Sequence, residues 1–239
     1  MKAPRRVGTA LAFVASVAAP AAPAPSTSWL LTWTASPQAT WHDEFPFPTG
    51  LPDSMIDTTL RQVVRVSRGG ARLRLVLSND GGKAPLAIGA VHVALALAGS
   101  RVMPGSDRVV RFSGGATATL PPGAPIVSDP VDLAVPPLGR LAISIHVPGS
   151  ASPAGFHWDG RATAWLAPGD LTAMPALEGA PTTNARAWLV GVLVEAEHDN
   201  GLVVAIGDSI TDGNGATIDH DRRWPDARDP ACAAWRRRR

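Results

Sequence analysis

Cysteine, tyrosine and long apolar runs are scarce or missing in this sequence. A single cysteine, Cys232, stands among 239 residues, which excludes an intramolecular disulfide framework and any metal or redox site built from paired cysteines. Beyond residue 24 no apolar run reaches the 18 residues of a membrane-spanning helix, so we expect no membrane association there. Yet 45% of the residues are apolar, and chains of this size bury roughly 70% of their unfolded surface, so the sequence predicts a folded core.

Positive charge is concentrated at the two ends of the sequence. The formal net charge is +2, but Lys2, Arg5 and Arg6 lie near one end and an arginine run occupies residues 236–239 at the other. Without those seven residues, 15 basic residues face 20 acidic ones, a balance of −5. Nucleic-acid binding needs a basic stripe on a folded face, so we expect no nucleic-acid partner.

Residues 1–24 have the layout of a secretory signal peptide. A basic start precedes an apolar run over residues 7–19, and alanines and prolines follow it. The run of 13 residues is too short for a comfortable membrane anchor. The pattern predicts export to the periplasm or the cell exterior, and the alternative is a disordered leader rich in alanine and proline.

The whole sequence contains 23 glycines and 23 prolines, and those within residues 25–198 divide this range into short segments. Several of these segments alternate apolar and polar side chains, which is typical of strands with one buried face. Residues 60–67 and 71–78 flank Arg68-Gly69-Gly70 and predict a hairpin, whose second arm buries every other side chain. The leucines expected on that buried face are Leu73, Leu75 and Leu77.

Five more strands are predicted in the same part of the chain. In one of them Ile143, Ile145 and Val147 are expected to face inward, and Ser144 and His146 outward. So many short strands pack most simply as a mainly β domain, an antiparallel β-sandwich of the jelly-roll type over residues 25–198. The five strands cover residues 88–97 (with Val91, Val93, Leu95 and Leu97 on one side), 109–112, 131–135, 141–147 and 187–195.

The pattern changes near residue 198. Residues 201–207 form a continuous apolar run, which predicts a strand buried on both faces inside a parallel α/β sheet. We therefore place a boundary there, with a second unit over residues 199–239.

A candidate nucleophile follows that run. Gly207 and Asp208 precede Ser209, and a hydroxyl on a tight turn at a helix start suits nucleophilic attack, with the Ser209 N–H available to an oxyanion. Thr211 and Asp212 are candidates to cap the turn. A serine at a helix start is also a common N-cap, so the local pattern alone leaves both roles open.

The seven residues Gly207-Asp208-Ser209-Ile210-Thr211-Asp212-Gly213 resemble the nucleophile block of the GDSL, or SGNH, hydrolases. Residues 213–217 and 222–226 are similar to the continuation of that block, and segments of residues 29–108 are similar to the N-terminal β domain of secreted, carbohydrate-esterase-like members. The resemblance implies ester hydrolysis through an acyl-Ser209 intermediate. The resemblance implies neither a metal nor an organic cofactor. The partner that it implies is a small-molecule or carbohydrate ester, as the substrate.

Three further blocks of that family do not follow in this sequence. They supply a Gly, an Asn and an Asp-x-x-His that provides the base, whereas the one histidine after Ser209 is His220, only 11 residues later. We assign His220 no base role and expect a solvated side chain. Only 39 residues follow Asn200, and Pro230 would break a helix there, so we expect residues 199–239 to be the truncated start of the hydrolase domain, with little activity.

A non-catalytic β-sandwich, with a carbohydrate-binding or structural role, is the alternative function. Six tryptophans could form a sugar-stacking platform, although core packing is the more common use of such side chains. Two histidine clusters, His42-Asp43-Glu44 and His157-Trp158-Asp159, lack metal-ligand spacing and are expected in solvated loops. The tryptophans are Trp29, Trp33, Trp41, Trp158, Trp165 and Trp188.

Overall fold

The computed structural model describes residues 27–40, 47–197 and 204–226. The fold is mainly β, as the sequence predicts, and no helix among the described residues is long and apolar enough to cross a bilayer. The elements are β1 (Thr27–Thr34), β2 (Gln38–Ala39), β3 (Met55–Arg65), β4 (Leu73–Ser78), β5 (Leu86–Ile88), β6 (Ala90–Leu95), β7 (Arg108–Val109), β8 (Ala118–Leu120), β9 (Pro125–Val127), β10 (Arg140–Ala151), β11 (Gly155–His157), β12 (Ala164–Pro168), β13 (Thr182–Thr183), β14 (Arg186–Ala187), β15 (Leu189–Glu197) and α1 (Ser209–Asp212).

Two antiparallel sheets form the body of the fold. One has four strands in the order β1-β15-β4-β9, and the other has six in the order β13-β12-β3-β10-β6-β7. Leu73, Leu75 and Leu77 of the smaller sheet share one fully buried core with Ile143 and Ile145 of the larger sheet. Each such side chain contributes about 1.5–3 kcal/mol by burial. The predicted antiparallel sandwich and its buried leucines are confirmed. Two small sheets, β14-β11-β2 and β5-β8, complete the fold.

The predicted hairpin over residues 60–78 is wrong. Strand β3 pairs with β10 and β12 in the six-stranded sheet, whereas β4 pairs with β15 and β9 in the four-stranded sheet. The chain crosses the sandwich between them, and the backbone N–H of Gly70 donates to Val135 O at 3.0 Å. Both strands carry an apolar face, and burial of the two faces against each other outweighs pairing side by side.

The other predicted strands are confirmed in part. Residues 141–147 lie in β10 and most of 187–195 lies in β15, but 88–97 divides into β5 and β6, and Leu97 beyond the end of β6 is 42% exposed. The strand expected over 109–112 is limited to β7, and the one over 131–135 makes only isolated bridges, through Val131 and Val135. These short segments lack the adjacent strands with which a longer ladder of hydrogen bonds would form.

Loops cover one end of the outer face of the six-stranded sheet. Ser144 and His146 point away from the core as predicted, but they are only 2% and 7% exposed. Beside them the buried guanidinium of Arg61 donates from Nε to Ser144 Oγ at 2.8 Å, from Nη1 to Ser100 O at 2.7 Å and from Nη2 to Met174 O at 2.6 Å. One arginine thus fastens two loops to the sheet.

The buried strand predicted after residue 200 is wrong for its described part. Residues 201–203 lie outside the described residues, and residues 204–207 are irregular. Val204 is 68% exposed and Ile206 is 91% exposed. Among the described residues no strand pairs with this segment, and an apolar run is buried in a sheet only where neighbouring strands and covering helices exist.

Candidate active site

The segment around Ser209 forms the short helix α1, and Asp208 caps it. Asp208 Oδ1 accepts a hydrogen bond from Ile210 N at 3.0 Å, and Gly213 ends the helix in the left-handed conformation, with φ of 104°. The predicted caps Thr211 and Asp212 are wrong, because both follow the helix start and their side chains bond elsewhere. The short helix begins at Ser209 as the local pattern predicts, but its capping residue is Asp208.

Two glycines of the segment are required by close approaches. A Cβ on Gly207 would lie 2.1 Å from Thr211 Oγ1, and a Cβ on Gly213 would lie 2.4 Å from Arg223 Cγ. Such distances are well inside van der Waals contact, so a side chain at either position would displace its neighbour. The glycines of the 207–213 pattern thus shape the turn that presents Ser209.

Ser209 is exposed at the first position of α1 and lines a cleft of about 630 Å³. Within the described part of the chain its backbone N–H has no hydrogen-bond partner, so it is able to donate to a ligand. The helix has only four residues, and its dipole adds little. We call this the Ser209 cleft; its walls include Trp33, Ser36, Val63, Arg65, Arg140, His157, Arg161, Arg186, Asp208, Asp212, Asp221, Arg222 and Arg223.

The sandwich binds residues 204–226 against the outer face of the six-stranded sheet. Arg140 donates to Asp221 Oδ2 from Nε at 3.0 Å and from Nη2 at 2.7 Å. Thr163 donates to the Asp219 carboxylate from its backbone N at 2.7 Å and from Oγ1 at 2.6 Å. Partly exposed pairs are worth at most about 1 kcal/mol each, so the position of the segment depends on the whole set.

Six arginines line the Ser209 cleft, and most of their charge is paired. Arg223 donates to Asp226 from Nε at 2.9 Å and from Nη2 at 3.1 Å. Burial raises the pKa of Asp226, but the hydrogen bonds and charge of Arg223 outweigh it and hold the pKa below its ordinary 3.8. The same contact raises the pKa of Arg223. The arginines are Arg65, Arg140, Arg161, Arg186, Arg222 and Arg223.

His157 contacts the nucleophile segment, so its predicted place in a solvated loop is wrong. Its Nε2 lies 2.9 Å from Asp212 Oδ1, and its Nδ1 lies 3.1 Å from Ser36 O. Its neighbour Asp159 is also bonded, accepting from Arg161 Nη1 at 2.7 Å. The contact with Asp212 joins positions 55 residues apart, and spacing along the chain carries no signal of it.

The surroundings of His157 favour its charged form. Burial lowers the pKa of the imidazole, but the hydrogen bond and charge of Asp212, together with the Ser36 carbonyl, outweigh it and raise the pKa above 6.5. Both ring nitrogens face acceptors, and only an imidazolium donates from both. In this arrangement His157 holds Asp212 in place and has no free nitrogen with which to accept a proton from Ser209.

Substitution of Asp212 by asparagine is expected to lower the pKa of His157, because burial then outweighs the contacts that remain. In the unaltered chain the raised pKa stabilises the bound segment fully below the unfolded value of about 6.5, and this contribution is lost as the pH rises through the folded pKa. An NMR titration of the His157 ring measures the change, with Asp80→Asn at a remote exposed site as the control. A His157 pKa equal in both variants would contradict the assigned contact.

The remaining sequence candidates lie outside the site. His220 is exposed, as predicted, while Trp41 and residues 42–44 lie outside the described residues. Among the described residues no group of three or more His, Cys, Asp or Glu side chains is arranged to hold a metal ion. The described tryptophans do not form one platform: Trp188 is buried in the core, and Trp29 lies under two arginines on the four-stranded sheet.

No protein-family model and no curated protein matches this sequence. The resemblance of residues 207–213 to a hydrolase nucleophile block is therefore a hypothesis that rests on those residues and on their surroundings. The geometry adds three observations to it: an exposed hydroxyl, an available backbone donor and a cleft that both share.

Proposed function

We propose that this protein is a serine ester hydrolase of the GDSL type, in which Ser209 is the nucleophile and the β-sandwich forms one wall of the substrate cleft. The proposal also includes export of the protein, because residues 1–24 are predicted to be a signal peptide. The observation that carries it is the exposure of Ser209 at the edge of a cleft of about 630 Å³, on a turn that the sandwich holds in place. Such a volume is within the range of small-molecule sites.

The chemistry follows from the atoms that the turn presents. The Ser209 Oγ attacks the ester carbonyl and passes its proton to solvent water, and the Ser209 N–H donates to the oxyanion that forms. The carbonyl re-forms as the alcohol leaves with a proton, which produces the acyl-serine. Water then attacks the acyl-serine and releases the acid, restoring the Ser209 hydroxyl.

The rate depends on a general base, and the described residues do not supply one at Ser209. His157 is the imidazole that lines the cleft, and its two nitrogens are occupied by Asp212 and by the Ser36 carbonyl. Serine hydrolases without their base keep a residual acceleration of about 10³–10⁴ over water. We therefore expect slow hydrolysis of activated esters and an acyl-serine that accumulates.

Ser209→Ala is expected to abolish both p-nitrophenolate release from p-nitrophenyl acetate and covalent labelling by a fluorophosphonate. The reason is that the substitution removes the attacking oxygen and leaves the cleft unchanged. Intact-mass spectrometry measures the label, and absorbance measures the released phenolate. Ser36→Ala is the matched control, because Ser36 lines the same cleft but contacts His157 only through its backbone carbonyl. Equal labelling of Ser209→Ala and the unaltered chain would refute the assignment.

A non-catalytic β module is the second candidate. It is favoured by one observation, the engagement of both His157 nitrogens, which leaves Ser209 without a proton acceptor within the part of the chain that the structure describes. In that case neither label nor turnover above the Ser209→Ala control appears, while a soluble carbohydrate binds to the chain. The labelling experiment thus separates the two functions directly.

A further inference from the structure

Two arginines of the Ser209 cleft carry buried donors without a partner. Arg186 is only 5% exposed, and its Nη1 has no hydrogen-bond partner within the described residues. The buried Nε of Arg161 likewise has none there. An unsatisfied buried donor costs about 1–3 kcal/mol, and more when it is charged. Donors retained at that cost beside a cleft indicate an acceptor that comes from outside the chain.

The surroundings of Arg186 increase this cost. Burial lowers the pKa of Arg186 to about 10, and the charge of Arg223 lowers it as well. Its Nη2 reaches Gly160 O only at 3.4 Å, and its guanidinium lies 5.3 Å from the centre of the Trp33 ring. Among the described residues no carboxylate lies within ion-pair distance of it. The charges of Asp219, Asp212 and Asp221 raise its pKa at longer range but do not offset the effect of burial. The guanidinium is therefore charged, desolvated and without a direct ion-pair partner in the described part of the chain.

The two arginines that carry these donors, Arg186 and Arg161, line the same cleft as Ser209. Gly160, which accepts from Arg186, directly precedes Arg161. A ligand bound at the two arginines would therefore extend along the cleft towards Ser209. A planar guanidinium pairs best with a planar or tetrahedral oxyanion through parallel N–H donors.

The acidic side chains of the cleft favour a ligand with a single negative charge over a dianion. Asp208, Asp212 and Asp221 also line the cleft, and they would repel a phosphate dianion. Asp221 is directly paired with Arg140, and Asp212 with His157, so these carboxylates act on Arg186 only at longer range. One guanidinium without a direct ion-pair partner matches one carboxylate.

We propose that the Ser209 cleft binds a carboxylate through Arg186 with the assistance of Arg161, and that the esters it accepts carry a free carboxylate. The second statement rests on the proposed hydrolase function, and the first does not. Half-esters of dicarboxylic acids and esters of acidic sugars are the substrate class that fits. Because Nη1 is almost wholly covered, a neighbouring side chain must turn aside when the carboxylate enters.

Binding of glucuronate to the unaltered chain, measured by isothermal titration calorimetry, tests the carboxylate site. We expect saturable binding of glucuronate, at least tenfold weaker binding of inorganic phosphate, and no saturable binding of glucose, which lacks the carboxylate. Equal binding of glucuronate and glucose, absence of glucuronate binding, or tighter binding of phosphate would each overturn the proposal.

Variants assign the site to its arginines. Arg186→Met and Arg161→Met should each weaken glucuronate binding, by tenfold or more for Arg186, whereas Arg101→Met at a remote exposed arginine should leave it within twofold. Circular dichroism checks that each variant is folded. Arg161 is the less buried of the two, so its variant provides the test if Arg186→Met does not fold. Unchanged binding in a folded Arg186→Met chain would overturn the assignment.

Failure of the carboxylate proposal is distinguishable from failure of the hydrolase proposal. A chain that is labelled at Ser209 but binds no glucuronate refutes the carboxylate site alone. A chain that binds glucuronate through Arg186 but is never labelled refutes the hydrolase and retains the site. Where both hold, p-nitrophenyl hydrogen succinate should label Ser209 faster than p-nitrophenyl butyrate, and Arg186→Met should remove that difference.

Discussion

Replacement of Arg61 by methionine is expected to lower the free energy of unfolding by about 3–5 kcal/mol. The substitution keeps most of the buried volume but removes the donors that satisfy Ser100 O, Met174 O and the Ser144 hydroxyl. The oxygens of Ser100 and Ser144 would then be buried without partners, which costs about 1–3 kcal/mol each, and Met174 O would lose its bond; relief of the desolvated charge offsets part of this cost. Urea unfolding followed by tryptophan fluorescence measures the difference.

The control for this experiment is Arg101→Met. Arg101 is exposed and makes one long contact, from Nε to Ala98 O at 3.4 Å, so its removal should change the stability by less than about 0.5 kcal/mol. If Arg61→Met unfolds at the same urea concentration as Arg101→Met, the two loops are held by something other than the guanidinium of Arg61.

Phe156→Ala is expected to cost about 3–5 kcal/mol and to disturb the site as well. Phe156 is 1% exposed and lies in β11, between β14 and β2, where it packs into the common core. Its loss leaves a cavity beneath the strand that carries His157. We therefore expect lower stability by urea unfolding, together with a His157 pKa closer to 6.5 by NMR, because the contact with Asp212 becomes looser.

A leucine at the same position separates volume from aromaticity. Phe156→Leu fills much of the space, so its cost should be below about 1.5 kcal/mol and the His157 titration should be nearly unchanged. Equal stability of the alanine and leucine variants would mean that the cavity collapses, and the link between core packing and His157 would then fail.

The sequence predicts the strands better than their partners. Alternation of Arg72 and Arg74 with Leu73, Leu75 and Leu77 identifies both the strand and its buried face, because side chains in a strand alternate strictly. The same information places β3 and β4 side by side, since a short glycine-rich connection is the usual mark of a hairpin. It does not reveal that each strand has longer partners elsewhere, in β10 and β15.

In the candidate site, too, the sequence predicts the local features but not the long-range contacts. Residues 207–213 predict a turn with an exposed serine, because that information is local. The contact of His157 with Asp212 and the buried guanidinium of Arg186 depend on chain segments that meet only in the folded sandwich. The apolar run after residue 200 shows the opposite error, since a strand pattern does not by itself provide the neighbours that a strand requires.

The pairing of β1 with β15 has a consequence for folding during synthesis. This ladder joins Thr27–Thr34 to Leu189–Glu197, so β1 has no lateral partner in its sheet until residues near the far end of the sandwich have been made. At about 5–20 residues per second, that interval lasts roughly 8–30 s. Closure of so large a loop also makes the final step slow, on the order of milliseconds to seconds for β-sandwiches. The nascent chain therefore exposes an unpaired strand edge for most of its translation, which is when a chaperone would bind it.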